Sequence, residues 1–263
     1  MSKSSKVWEY YAQNDPYWSV LTFEEYKRNN LNDEQLSKFF QSGENHIHKV
    51  FHIIEEFHQD NFKPRLSLDY GCGVGRNLIP LSRRSNEVIG VDISTTMLKE
   101  AKVNSNNLEA NNVRFMQVSE FLDDKSISYD FLHSFIVLQH IEKNEGLKIF
   151  RKLNEKLSTG GFAAIHITFF ENKSENINFL HLLYHYLKMI KIGVSSFFRG
   201  HSFRNKPRML MTPYPLNEIF RIIIKYGATC IRSYPIVHGP HMGLFLFYKK
   251  EERSLHEDPF FSF

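Results

Sequence analysis

Residues 66–82, LSLDYGCGVGRNLIPLS, decide how the chain is read. An apolar run carrying one acid, Asp69, leads directly into glycines at alternate positions, Gly71, Gly73 and Gly75, and then into a segment of helical period. Glycine at a strand-to-helix turn permits positive φ and lets a ligand approach the backbone, while the free N–H groups of the helix start favour a negative group. Such a loop suits a nucleotide. A dinucleotide fingerprint, G-x-G-x-x-G, would place its third glycine where Arg76 stands, so that reading fails in detail. Asp69 sharpens the difference, because an acid at the strand end would repel a pyrophosphate but can hold an ammonium group, directly or through water.

Outward from this loop, short β-like runs alternate with helix-period segments, the pattern of βαβ units and a mostly parallel sheet. The runs are RLSLDY, EVIGVD, VRFMQV, YDFLHSFIVL, GFAAIHITF, TCIRSYPIV and GLFLFYKK, with helices expected at about 74–84, 94–106, 143–158 and 215–226. Only HGPHM separates the last two runs, too short for a parallel crossover, so they must pair antiparallel. The expected fold is therefore α/β, a doubly wound, mostly parallel, seven-stranded sheet with an antiparallel last strand. Residues 1–64 read as an aromatic-rich helical cap, 65–250 as the sheet domain, 170–212 as a lid inserted after the fifth strand, and 251–263 as a tail.

A net charge of +4 over 263 residues does not by itself argue for nucleic acid or an acidic membrane. Cys72 and Cys230 lack metal-ligand spacing and suggest a reducing, cytoplasmic setting. No stretch approaches the roughly 20 apolar residues of a membrane span. The expected partner is a small-molecule acceptor, with no nucleic acid and no metal.

Asp92 ends the second run in VIGVDIS, where a carboxylate can accept from both hydroxyls of a ribose. An ammonium held by Asp69 and a nucleoside held by Asp92 together describe S-adenosylmethionine. LDYGCGVGR, VIGVDIS, VRFMQVSEF and YDFLHSFIVLQHI resemble the four motifs of the class I S-adenosylmethionine-dependent methyltransferases, over about residues 64–168. The resemblance implies that Asp69, Gly71 and Gly73 line the methionine part and that Asp92 binds ribose, with Cys72, a small residue lining the turn, as a further candidate cofactor contact. It further implies that Ile93 and Met97 flank adenine and that Phe135 borders the cofactor. The family more often has an acid where this chain has Ser119, with Glu120 beside it, so either residue can meet the adenine amino edge. The chain ends, WEYYAQNDPYWSVLT…FFQSGE and MTPYPLNEIF…HGPHMGLFLFYKK, also resemble a bacterial subgroup acting on small molecules.

Ligands of open α/β sheets bind beyond the carboxyl ends of the parallel strands. His140, His238 and His241 emerge there and are the candidate general bases. Tyr11, Trp18, Glu44, Arg204, Arg208 and Tyr214 are the candidate acceptor contacts, the arginines belonging to a basic run, FFRGHSFRNKPR, that suits an anionic acceptor. His166 reads as structural, and His46, His48 and His52 as solvated or packing residues of a helix. The expectation is O-methylation of a small, anionic acceptor such as a sugar or nucleotide-sugar. RNA or protein methylation and a non-catalytic cofactor-binding protein stand as alternatives, with a nicotinamide oxidoreductase last.

Overall fold

All five residues of β1 (Leu66–Tyr70) are buried, because this strand lies in the middle of the sheet with helices on both faces. The computed structural model describes residues 3–58, 61–171 and 207–252. Around β1 stand β2 (Glu87–Asp92), β3 (Val113–Gln117), β4 (Tyr129–Ser134), β5 (Leu157–Glu171), β6 (Ala228–His238) and β7 (His241–Lys250), in the order β3-β2-β1-β4-β5-β7-β6. β1 to β5 pair parallel, and β7 runs antiparallel between β5 and β6. The short turn between His238 and His241 leaves β7 no other direction.

The helices are α1 (Lys3–Asn14), α2 (Pro16–Val20), α3 (Asp33–His58), α4 (Leu78–Arg84), α5 (Thr95–Asn107), α6 (Val118–Asp123), α7 (Lys143–Lys156) and α8 (Leu216–Lys225). Alternation along β5 divides the core. Ile165 and Ile167 pack on the α7 and α8 side, Phe162 and Ala164 on the α3 side. In α3, Ile47, Val50, Phe51 and Ile54 repeat at helical spacing and bury one stripe, each contributing about 1.5–3 kcal/mol. Gly43 of the same helix lets α3 reach the glycine loop, since a Cβ there would stand 1.9 Å from the Arg76 carbonyl oxygen.

Several elements differ from expectation. α4 begins at Leu78 rather than 74, because the loop continues through Gly75 at φ 94°. β4 stops at Ser134 rather than Leu138, because Ile136 takes the left-handed region at φ 59°. β5 starts at Leu157, shortening α7, and α6 follows β3 where no helix was anticipated. β5 also runs to Glu171, into the expected insertion; most of that insertion, Arg204 with it, lies outside the described residues.

Tyr214, expected to contact the acceptor, is instead a fastener. It is buried, its hydroxyl donates toward the carbonyls of Leu138 and Ile141 (2.9 and 3.0 Å), and the ring lies over Gly146 of α7. A Cβ at Gly146 would stand 1.9 Å from the Tyr214 Oη. Helix propensity alone favours Gly→Ala by about 1 kcal/mol, but overpacking costs about 1–3 kcal/mol. Gly146→Ala should therefore lower the urea midpoint, and an unchanged or raised midpoint would contradict the contact.

Candidate active site

The glycine loop closes on the ends of β2 and β4. The amides of Gly71 and Cys72 both donate to the Val91 carbonyl (2.7 and 3.0 Å), and a Cβ at Gly71, at φ 80°, would lie 2.3 Å from Val137. The Asp92 carboxylate anchors the loop from the other side, accepting from the amides of Gly73 and Ser94, each at 2.9 Å. Each oxygen thus accepts one bond and keeps a lone-pair direction, enough for two hydroxyls. Burial pushes the Asp92 carboxyl up to about 6; the charge of Asp69 adds to this, and the backbone hydrogen bonds oppose it.

Cys72 turns its side chain into the core beside Leu78 and Val88, and burial raises its thiol well above the ordinary value. Its expected place among the cofactor contacts is therefore not a side-chain one.

Asp69 is 2% exposed and does not stand alone. Its Oδ1 lies 2.8 Å from Nδ1 of His133, and Nε2 of His133 lies 2.9 Å from Nε2 of His46. The carboxylate's Oδ2 is buried without a partner. Arg76 is nearby, with one guanidinium nitrogen 3.3 Å from Ser42 Oγ and a buried Nε without a partner. Burial lowers its pKa to about 10 against the pull of Asp69. His46 is thus not the solvated or packing residue expected. His133 was not anticipated at all, although a histidine directly after Phe131 and Leu132 in a strand expected to be buried is a readable signal.

The N-terminal helices cover this end of the sheet. Glu9 of α1 accepts from Ser94 Oγ (2.7 Å) and from the hydroxyl of Thr96. Met97, expected at adenine, packs in a buried cluster with Ala12, Tyr17 and Val74, while Ile93 is partly exposed. A Cβ at Gly73 would come within 2.9 Å of Val20. Ser119 and Glu120 are exposed at the start of α6, and Glu120 lines a groove along the edge strand β3 with Lys102 and Met116.

Two expected acceptor contacts are otherwise engaged. The Tyr11 hydroxyl donates to the Pro207 carbonyl (2.8 Å), its ring 5.9 Å from that of Trp18. Glu44 pairs with Arg83 in the last turn of α4, at the opposite end of that helix from the glycine loop.

Beyond β4 and β5 the three candidate bases do gather, around Gln139. His140 points Nδ1 at the Leu210 carbonyl (2.7 Å) and Nε2 at the Gln139 amide nitrogen (3.3 Å), so both nitrogens are engaged. Burial pulls it down to about 4, although the Leu210 bond opposes this. The Gln139 Oε1 accepts from Thr168 (2.5 Å) and from Nε2 of His238 (3.1 Å). Nδ1 of His238 has no partner, nor has Nδ1 of His241, whose ring lies 5.8 Å away. His166, read from sequence as structural, joins them 5.5 Å from His238, with both nitrogens unpartnered. Phe135 walls this group, its ring 5.5 Å from His166 and 4.4 Å from His46. Among the described residues no group of His, Cys, Asp and Glu could hold a metal ion, and no helix is long and apolar enough to cross a membrane.

The site fits S-adenosylmethionine on its own terms: an orphaned acceptor on Asp69 for an ammonium, a side-chain-free loop for close approach, and two open lone-pair directions on Asp92 for a ribose. A methyltransferase-domain family matches residues 68–161. Protein RP789 of Rickettsia prowazekii (strain Madrid E), described as uncharacterized, is 34% identical over 101 residues, which cover 37% of this chain and 18% of that protein. The chain therefore matches under a fifth of the length of that curated relative. The fold is shared with magnesium protoporphyrin IX methyltransferase from Synechocystis PCC 6803 with bound SAH, at TM-score 0.58 and 19% identity over 95% of this chain and 100% of that one. It is also shared with the N-methyltransferase NodS from Bradyrhizobium japonicum WM9, at TM-score 0.54 and 10% identity over 95% and 100%. Loop, acids, strand order and family match converge, and the chain carries a class I S-adenosylmethionine-dependent methyltransferase domain.

Proposed function

We propose that this chain methylates an oxygen of a small, anionic acceptor in the cytoplasm, with His238 as general base. The sulfonium of the cofactor supplies an activated methyl group, so the protein has to align the acceptor and accept its proton. The observation that carries the reading is the free nitrogen of His238. With Nε2–H donating to Gln139, Nδ1 holds the lone pair, and no group among the described residues uses it. His140 is poorly suited by comparison because both its nitrogens are engaged.

Support for an anionic acceptor comes from Arg208, which is exposed and lies between two pinned residues. Tyr11 holds Pro207 and His140 holds Leu210, keeping this stretch beside the histidines. Arg204 lies outside the described residues. Incubation with methyl-labelled cofactor and cell extract, followed by mass spectrometry of the labelled product, tests the whole reading; no labelled small molecule would refute it.

Four variants have expected outcomes. Asp92→Ala should weaken S-adenosylhomocysteine binding in calorimetry by about 2–4 kcal/mol, the worth of two charge-assisted bonds discounted for water. In the unaltered protein that affinity should fall as pH drops through about 6, where Asp92 takes up its proton, and Asp92→Asn should flatten the dependence. His238→Ala should reduce kcat by about 10²–10⁴-fold with cofactor affinity unchanged. Burial and neighbouring His241 hold the His238 pKa below 6.5, so the acid limb of the rate profile belongs below that value. Arg208→Ala should raise the acceptor KM more at low ionic strength than at high, and equal KM values would remove the charge argument.

A further inference from the structure

We propose that His133 and His46 are positioning residues for the cofactor, holding the Asp69 carboxylate in one orientation so that Oδ2 receives the ammonium of the bound S-adenosyl compound. The proposal rests on the cofactor reading above and gives a cofactor-site role to two residues, one inside the fourth motif and one on α3, to which the sequence reading assigned none.

An ionised carboxylate only accepts, so the 2.8 Å contact requires a proton on Nδ1 of His133. For an uncharged pair of histidines this leaves one set of tautomers, in which His133 offers a lone pair at Nε2 and His46 donates from its own Nε2 across 2.9 Å. His46 stays neutral: burial, followed by the fields of His133, Arg76 and Lys49, keeps its pKa well below the ordinary value. The His46 ring is gripped in turn by Phe135 at 4.4 Å and by Phe245, stacked at 5.7 Å. Orientation is thus passed from α3 through β4 to β1.

Pinning Oδ1 fixes Oδ2, the atom left buried and without a partner. Arg76, the charged group facing the same carboxylate, makes no ion pair within 4.0 Å of it among the described residues, so it offsets the charge without occupying the oxygen. A carboxylate held ready in this way does not lose rotational freedom when a ligand binds.

The test is calorimetry with two probes, S-adenosylhomocysteine and its analogue with hydrogen in place of the α-amino group. Unaltered protein should prefer the amino compound by about tenfold or more, the worth of one charge-assisted bond. His133→Phe should lose most of that preference while binding the deamino analogue within about twofold of the unaltered protein, and His133→Asn, which keeps a donor, should restore it. His46→Phe should act in the same direction more weakly. Long-range proton–nitrogen NMR of the cofactor-free protein should show His133 protonated at Nδ1 and His46 at Nε2, a readout independent of the variants' folding.

Equal losses for both probes would make the histidines packing residues and overturn the proposal. So would the opposite tautomer of His133. Unaltered protein that binds both probes equally would overturn it while leaving the cofactor assignment standing. Binding of neither probe would remove both.

Discussion

A carboxylate sits in the middle of this sheet, and much of the active end is arranged around it. Burying an ion without partners costs several kcal/mol, so a strand that carries Asp69 inward at 2% exposure requires compensation from its neighbours. It comes from β4 as His133, from α3 as His46 behind it, and from the glycine loop as Arg76 at longer range. These partners also tie three elements together. α3 reaches them only because Gly43 lets the helix touch the loop, so a helix outside the βαβ repeat becomes part of the wall behind the cofactor loop.

The other half of the site follows from the reversed strand. With β7 antiparallel between β5 and β6, the hairpin turn returns His238 and His241 to the end of the sheet where β4 and β5 deliver Gln139, His140 and His166. Burial favours the neutral form of His140, His166 and His238, which makes them poor ligands for anions, and the His166 ring lies between Phe135 and His238. Arg208, by contrast, is exposed between Pro207 and Leu210, the residues held by Tyr11 and His140.

The loop, the acid ahead of it, Asp92 and the reversed hairpin were legible because each is a local signal, expressed in spacings of a few residues. The antiparallel pairing of the last two strands and the placing of His140, His238 and His241 at one end of the sheet followed from topology, whereas the strand order was seen only in the structure. What the sequence concealed depends on contacts between distant positions. His46 and His133 are 87 residues apart, and nothing in a helical histidine announces that a strand histidine waits for it. Tyr214 and Tyr11 looked like substrate contacts by their position near the cleft, yet their hydroxyls are taken by backbone carbonyls at separations of 76 and 196 residues. His166 is buried in β5, as its strand alternation indicated, but its lack of hydrogen-bond partners could be seen only once its neighbours were in place.

Val20 against Gly73 and Glu9 on Ser94 and Thr96 mean that the chain's own first helices rest where a ligand must approach the loop. Val20 thus narrows the space beside Gly73. Glu9 ties the same cover to the first turn of α5. Burial works to raise its carboxyl, but hydrogen bonds from Thr96 and Ser94 outweigh that and hold it below the ordinary value. The first helix is thereby joined by a polar clasp to the segment that follows Asp92, so the cap and the ribose-side acid share one stretch of chain.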